Sequence, residues 1–262
     1  MNTILKMLKY QARDMVRSRW LIAYALFFML VTDGLLRFSG DPMKAQLSLI
    51  SVVLFLVPLV SVVFGTVYLY NSREFIELLL AQPVSRKQMY GGVYLGFTIP
   101  LALAFGCGLA VPFLLRHVDA SVGASLAVLL VSGAVLTCIF TAIAALIAIQ
   151  CEDRLRGLGA AIGIWMLLTV VYDGVVLLIL AVFSTHALER ATLGLMLANP
   201  IDIARVAMLL RFDGAAMMGY TGAVFLDFFG TVQGALITLI ALSLWVAAPV
   251  SLGLRAFQRK DF

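Results

Sequence analysis

The segment Leu47–Tyr70, LSLISVVLFLVPLVSVVFGTVYLY, runs for 24 residues without one charged side chain. A helix rises about 1.5 Å per residue, so a stretch of this length can cross a hydrocarbon layer of roughly 30 Å. Lipid offers no hydrogen-bond partner to the backbone, and a single spanning segment must therefore be helical. The segment predicts a transmembrane helix.

Five further apolar stretches have the same character: Trp20–Phe38, Gly91–Leu115, Val122–Gln150, Leu158–Phe183 and Phe228–Leu254. Over the whole chain, 63% of the 262 residues are hydrophobic and 13% are charged. Soluble proteins average roughly 25% charged residues. The sequence therefore predicts an all-α integral membrane protein, with six transmembrane helices forming a single domain over residues 20–262.

Lys and Arg are distributed unequally between the two sides of the predicted membrane domain. Segments 1–19, 71–90, 151–157 and 255–262 carry 13 of them, and segments 37–46, 116–121 and 184–227 carry 6. Because cytoplasmic loops carry the excess of Lys and Arg, we expect both termini in the cytoplasm and the chain in a bacterial inner membrane. This pattern also explains the net charge of +5, so no nucleic-acid partner is expected.

Residues 1–19 have the pattern of an amphipathic helix. At about 100° per residue, one face is apolar and the other basic, the two sets being Ile4, Leu8, Ala12, Met15 and Val16 against Lys6, Lys9, Arg13 and Arg17. We expect this helix to lie in the cytoplasmic interface with its basic face on anionic headgroups, which makes membrane lipids a predicted partner. A disordered basic tail is the alternative.

A short apolar helix is predicted between the second and third spans. Asn71 and Glu74 have the spacing of a capping pair, and Pro83 ends the helix, which gives a helix over about residues 72–81. Ser85 and Gln88 form a second pair that begins the third span. The residues that we expect to dock into a partner protein are Arg73, Glu74, Glu77, Leu78, Leu79 and Leu80. Packing of this helix on its own bundle is the alternative.

The loop between the fourth and fifth spans is a second candidate contact with that partner. It carries Glu152, Asp153 and Arg154 and is long enough only for a tight cytoplasmic turn. A solvated turn that anchors the membrane orientation is the alternative.

A helical hairpin on the outer face is predicted over about residues 185–227. Asn199-Pro200 separates two short apolar helices, Leu193–Ala198 and Ile201–Leu210, that either dip into the outer membrane face or lie on it. Asn199 is placed to cap the second helix, and Asp202 and Arg205 can pair across one turn. We predict that this turn shapes an outer gate and presents Arg205 to a periplasmic partner, the alternative being an ordinary helix start.

Three aspartates, Asp33, Asp173 and Asp227, lie in or at the edge of apolar stretches. A charge in the membrane is costly unless it is paired or hydrated, so these residues are functional candidates. Arg37 lies one turn from Asp33 and can neutralise it. Asp173 has no such neighbour in sequence, so it either bonds another helix or lines a transport path.

The sequence lacks motifs for chemistry within the chain. None of the five lysines belongs to a glycine-rich phosphate-binding loop, so ATP and Mg²⁺ are expected on a separate ATPase subunit. The only histidines, His117 and His186, lie in predicted outer loops, which excludes a serine protease or a zinc protease within the membrane. We predict a transport subunit that is not an enzyme and binds no cofactor.

No metal site is assigned. His186 and four methionines of the predicted outer loop, Met196, Met208, Met217 and Met218, could bind Cu(I), which prefers thioether and imidazole ligands. Methionine is also an ordinary filler of membrane helices, and no Met-x-x-Met or Met-x-Met pair occurs here. The cysteines lack C-x-x-C spacing, so neither a disulfide framework nor a zinc site is indicated.

Taken together, these features resemble the ABC-2-type transporter permeases. The segment from Glu77 to Arg86, ELLLAQPVSR, is similar to the coupling helix through which that family meets its ATPase subunit. The resemblance implies a working unit of two copies of this chain with two ATPase subunits, and a periplasmic accessory protein on the outer loops.

Two segments resemble a subgroup of that family that serves copper-site maturation of nitrous oxide reductase. They are Trp165–Leu178, which contains Tyr172-Asp173, and Asn199-Pro-Ile-Asp202-Ile-Ala-Arg205. The chain departs from the subgroup at Phe75-Ile76, where Gly-Thr is usual, and at Ala204, where Phe is usual. The resemblance implies a copper or sulfur species, or a conformational signal, as cargo. An exporter of a lipid, drug or polysaccharide and a structural membrane anchor are the alternatives.

Overall fold

The computed structural model describes Met15 and residues 18–80, 85–116, 120–182, 189–209 and 231–259. Six helices in this part of the chain are long and apolar enough to cross a membrane, which confirms the predicted fold class. Spans one to six are Arg19–Phe38, Pro42–Asn71, Arg86–Leu115, Ala120–Gln150, Arg154–Val182 and Val232–Arg259. Span five contains a π-helical turn, Leu167–Val171, which we call the π segment.

Polar side chains cap the starts of spans two, three, five and six. Asp41 accepts a hydrogen bond from the Met43 amide at 2.9 Å, and Pro42 occupies the first helical position. Ser85 accepts from the Gln88 amide at 3.4 Å, which confirms the predicted cap. These caps satisfy amide groups that a helix start leaves without a partner, so the helices extend beyond their apolar stretches.

Span four lies at the centre of the bundle. It packs against spans two, three and six, and 56% of its most apolar window is buried. Its sequence is apolar on every side, as expected of a helix surrounded by protein. Spans five and six lie at the periphery, with 6% of each window buried. Most of the surface of these two spans therefore faces lipid or another protein.

Small residues let the spans approach one another closely. A Cβ on Gly108 of span three would lie 2.6 Å from the Ala25 carbonyl oxygen of span one, and a Cβ on Gly65 would lie 2.7 Å from the Ala144 Cβ of span four. Close backbone approach replaces hydrophobic burial as the packing force between helices in lipid.

Charged and polar pairs join the spans at the end of the bundle opposite the loop that follows Gln150, which we call the far end. Asp33 of span one lies 2.7 Å from Arg37 and 2.7 Å from Arg116, which follows span three. The predicted pair with Arg37 is present, and Arg116 adds a link between two spans. Spans two and four are also joined at this end, where the Ser125 hydroxyl donates to Gln46 at 2.6 Å. These contacts give charged and polar side chains the partners that lipid cannot provide.

The short helix between spans two and three, Arg73–Leu80, is called the interspan helix. It lies at the other end of the bundle, called the interspan end. The cap predicted at Asn71 is wrong, because span two continues through Asn71 and the Ser72 hydroxyl bonds back to the Tyr68 carbonyl at 2.8 Å. The interspan helix follows after the single residue Ser72, so the two helices are joined by a turn too short for a separate cap.

Two hairpin helices, Glu189–Leu197 and Pro200–Leu209, lie between spans five and six. The break between them falls at Asn199, as the Asn-Pro pair predicted. Asp227, most of the predicted N-terminal helix over 1–19 and the rest of the predicted hairpin to 227 lie outside the described residues.

We predict that Gly108→Ala destabilises the bundle, whereas Gly106→Ala, two residues away in the same helix, does not. The added methyl group at Gly108 meets a backbone oxygen that cannot move aside, but nothing lies within 4 Å of the Cβ position at Gly106. Overpacking of this kind costs about 1–3 kcal/mol. Thermal unfolding of the purified variants in detergent measures the difference, and equal midpoints for the two would contradict the packing described here.

Candidate functional site

The turn of the hairpin reaches the middle of the bundle. The Asn199 side-chain amide donates to the Leu168 carbonyl at 2.8 Å, and Leu168 lies 14 residues from each end of span five. The Trp245 indole donates to the Leu197 carbonyl at 3.4 Å, and Trp245 lies 13 residues from the start and 14 from the end of span six. Of the two arrangements predicted for this hairpin, the structure has the one that dips inward.

Asn199 uses every polar atom of its side chain. It is fully buried, and its carbonyl oxygen accepts from the Ile201 amide at 3.1 Å, which confirms the predicted cap. Its NH₂ group donates to the Leu168 carbonyl and to Asp202 at 3.0 Å. Tyr172 also bonds the Leu195 carbonyl at the end of the first hairpin helix. Carbonyls at the end of a helix need such donors when the turn is buried.

Arg205 joins Asp202 to Asp173. Its guanidinium lies 3.0 Å from Asp202, three residues earlier on the same helix, and donates to Asp173 of span five at 2.9 Å. The first contact confirms the predicted pair, and the second gives Asp173 the partner that the sequence did not show. We call Asp173, Asn199, Asp202 and Arg205 the hairpin cluster.

The hairpin cluster is unevenly buried. Asp202 is 4% exposed, whereas the side chains of Asp173 and Arg205 remain 31% and 32% exposed. The cluster contains two carboxylates and one guanidinium. A charge at mid-depth in a membrane costs several kcal/mol unless it is paired or hydrated, so Arg205 stabilises both carboxylates at once. Chemically, the arrangement can hold two helices together and present a polar surface within the membrane.

The sequence of the whole chain matches the profile of the ABC-2 family transporter proteins over residues 5–262. The chain belongs to the ABC-2 family of transporter permeases. It is 31% identical over 266 residues to a protein of Pseudomonas aeruginosa named probable ABC transporter permease protein NosY, covering 94% of each chain. It is 29% identical over 279 residues to a protein of the same name from Stutzerimonas stutzeri, covering 99% of each.

In this permease, the predicted coupling residue Arg73 binds its own chain. Its guanidinium donates to the carbonyls of Ala148, Cys151 and Glu152 at 2.7, 2.6 and 2.8 Å and lies 4.5 Å from the centre of the Tyr70 ring. The Ala148 carbonyl lies in the last turn of span four and the other two follow it directly, where a helix end has unpaired acceptors and a partial negative charge. Arg73 therefore fastens the interspan helix to the loop after span four, instead of projecting toward a partner.

Tyr70 strengthens the same link. Its hydroxyl donates to the Cys151 carbonyl at 2.8 Å, and the ring lies against Gly157, where any Cβ would come within 2.1 Å of the hydroxyl oxygen. In the sequence, this contact is marked only by a glycine in the first turn of span five. The reason for that glycine becomes clear only when the position of Tyr70 is known.

The exposed surface of the interspan helix contains both charged and apolar side chains. Glu74 and Glu77 are exposed, and Leu78 is 72% exposed. Ile76 is buried among side chains of spans three, four and six, including Phe257, so one face of the helix packs on its own bundle. The side chains of Leu79 and Leu80 lie outside the described part of the structure.

The predicted second contact lies beside the interspan helix. Glu152, Asp153 and Arg154 are all exposed. Asp153 also caps span five by accepting from the Leu155 amide at 3.0 Å. The link from Arg73 to the backbone of this loop makes the two candidate contacts one continuous surface, which we call the coupling surface.

Metal binding stays a hypothesis. Within the described residues, no group of three or more His, Cys, Asp or Glu side chains could hold a metal ion. Met208 is buried and Met196 is half-buried, whereas His186, Met217 and Met218 lie outside the described ranges.

We predict that Arg205→Gln destabilises the permease more than Asp173→Asn does. Loss of Arg205 leaves two carboxylates without a counter-charge, whereas loss of the Asp173 charge leaves the Asp202–Arg205 pair intact. The expected cost of Arg205→Gln is on the order of 1–3 kcal/mol, the cost of leaving a buried acceptor without its donor.

Thermal unfolding in lipid nanodiscs measures this order, with the exposed Arg154→Gln as the control that should change little. The same midpoint for Arg205→Gln and Arg154→Gln would mean that the ion pairs contribute nothing to stability.

Proposed function

We propose that this chain is the permease subunit of an ATP-driven transporter that serves assembly of the copper sites of nitrous oxide reductase, and that ATP and Mg²⁺ bind a separate ATPase subunit. The observation that carries the proposal is the hairpin cluster. The two segments that resemble the copper-maturation subgroup are separated by 20 residues, and they meet through Asp173 and Arg205 at 2.9 Å. The full-length similarity to two proteins named NosY supports the same assignment.

The coupling surface is the proposed contact with the ATPase. Leu78 offers an exposed apolar anchor, and Glu74 and Glu77 flank it with charges that would orient the partner. Arg73 holds the loop that carries Glu152 and Asp153 against the interspan helix. A movement of the ATPase would therefore reach spans two, four and five together.

A second copy of the chain is the proposed neighbour of span five. Asp173 and Arg205 are each about one-third exposed at mid-depth, and lipid is a poor environment for such groups. Little of span five is buried in a single copy. A second copy, enclosing a hydrated space, would cover the ion pair and the apolar side chains around it, which include Val170, Val175 and Leu177.

The orientation follows from the charge distribution. With the basic segments inside, both termini and the coupling surface would face the cytoplasm of a bacterial inner membrane. The hairpin would then enter the membrane from the periplasmic side. A periplasmic accessory protein would bind at the far end, where span five ends and span six begins, and Arg205 would act on it through the position of the hairpin. The copper or sulfur cargo, or a conformational signal, would pass between these two ends.

We expect Leu78→Asp to release the ATPase subunit, because a buried carboxylate in the centre of an apolar contact is costly. Leu115→Asp is the matched control, since Leu115 is 69% exposed but ends span three at the far end. The measurement is recovery of the ATPase with tagged permease from detergent-solubilised membranes. Full recovery with Leu78→Asp would refute the coupling surface.

Deletion of the gene for this chain in its host tests the cargo assignment. We expect nitrous oxide reductase purified from the deletion strain to contain less copper and to reduce less nitrous oxide, with both restored by the wild-type chain. Normal copper content in the deletion strain would overturn the assignment and favour an exporter of a lipid, drug or polysaccharide, or a structural anchor.

A further inference from the structure

The π segment changes the backbone hydrogen bonds of span five beside the hairpin. In an α-helix, the Tyr172 amide would donate to the Leu168 carbonyl, four residues earlier. In this structure, the Tyr172 amide donates to Leu167, five residues earlier. The Leu168 carbonyl therefore loses its usual donor and accepts the Asn199 side chain at 2.8 Å.

We propose that Asn199 is a positioning residue that holds span five in its π register, and that this register places Asp173 against Arg205. Leu168 is 8% exposed and Asn199 is fully buried, so the freed carbonyl has little access to another donor. A buried carbonyl without a donor is costly, and the bond from Asn199 offsets that cost.

The register matters because it sets the direction of every side chain that follows. A π turn contains one more residue than an α turn, and one residue corresponds to a rotation of about 100° around the helix axis. If the π segment became α-helical, residues 172–182 would rotate by that angle relative to residues 154–166. Asp173 would turn away from Arg205, which it now contacts at 2.9 Å.

The same bond links the hairpin to the rotation of span five. Asn199 lies at the hairpin turn, where it also caps the second hairpin helix and bonds Asp202. Withdrawal of the hairpin would remove the donor from Leu168 and favour the α register. The far-end half of span five would then rotate while the half beside the coupling surface kept its direction. Single-turn π bulges occur often at functional positions, in keeping with this role.

The test separates the Leu168 bond from the capping role of Asn199. Asn199→Ser keeps a capping hydroxyl, but the shorter side chain cannot also reach Leu168. Deletion of Val170, an exposed residue of the π segment, removes the extra residue and returns Asp173 to its present direction in an all-α span five. Deletion of Leu177, which is 67% exposed in the same span but outside the π segment, is the matched control.

The measurement is the thermal unfolding midpoint of the full chain with its partner subunits in nanodiscs, with Arg205→Gln added to each variant. We expect Asn199→Ser to lower the midpoint and to reduce the further loss caused by Arg205→Gln, because the Asp173 pair is already broken and only the Asp202–Arg205 pair remains to be lost. Adding the Val170 deletion to Asn199→Ser should recover at least half of the decrease in the unfolding midpoint. It should also restore the sensitivity of the midpoint to Arg205→Gln. The Leu177 deletion should restore neither.

If the Asn199→Ser variant alone fails to assemble, the two deletions are compared for recovery of assembly. Recovery with the Val170 deletion but not with the Leu177 deletion would support the proposal. Equal effects of the two deletions, or an unchanged cost of Arg205→Gln in the Asn199→Ser variant, would overturn the proposal. Neither result depends on the cargo, so failure of this inference leaves the proposed function intact.

Discussion

The absence of water from the hydrocarbon layer is the constraint on which this structure depends. Every backbone polar group at mid-depth needs a partner from the protein, because an unsatisfied one costs several kcal/mol. Regular helices meet this demand for most of the backbone. Where the backbone departs from the α-helix, at the π segment and at the hairpin turn, side chains supply the missing bonds, as Asn199 does for Leu168. The hairpin cluster lies where the π segment and the hairpin turn meet.

The interspan end and the middle of the bundle use the same kind of hydrogen bond. At the interspan end, Arg73 binds carbonyls that finish span four, and in the middle of the bundle Tyr172 and Trp245 bind carbonyls that finish the first hairpin helix. In each case a side chain from another helix satisfies a helix terminus. Such bonds fix the relative position of two elements more firmly than apolar contact does, because their geometry is directional. They connect the coupling surface to spans two, four and five, and the hairpin cluster to spans five and six.

The charges of the hairpin cluster are the main argument for the proposed second copy of the chain. Its apolar surface is compatible with lipid, but an Asp173–Arg205 pair that is about one-third exposed within span five is not. A second copy and a hydrated space between the copies would resolve that conflict. The interspan end has a similar feature, because Leu78 is a large apolar side chain that is 72% exposed. Both features support the proposed assembly of this chain with a second copy and an ATPase subunit.

The sequence by itself determined the six spans, the short helix between spans two and three, and the break at Asn199, because hydrophobic length and helix-breaking residues are local properties. It also indicated the Asp33–Arg37 and Asp202–Arg205 pairs, which lie within one helical turn. Only the tertiary structure decided that Arg73 turns inward, that Asp173 meets Arg205, and that Leu168 needs Asn199. Those contacts join residues 31 to 79 positions apart, so their partners follow from packing and not from spacing. The phase shift that a π turn introduces is also hard to see in a span whose side chains are apolar almost throughout.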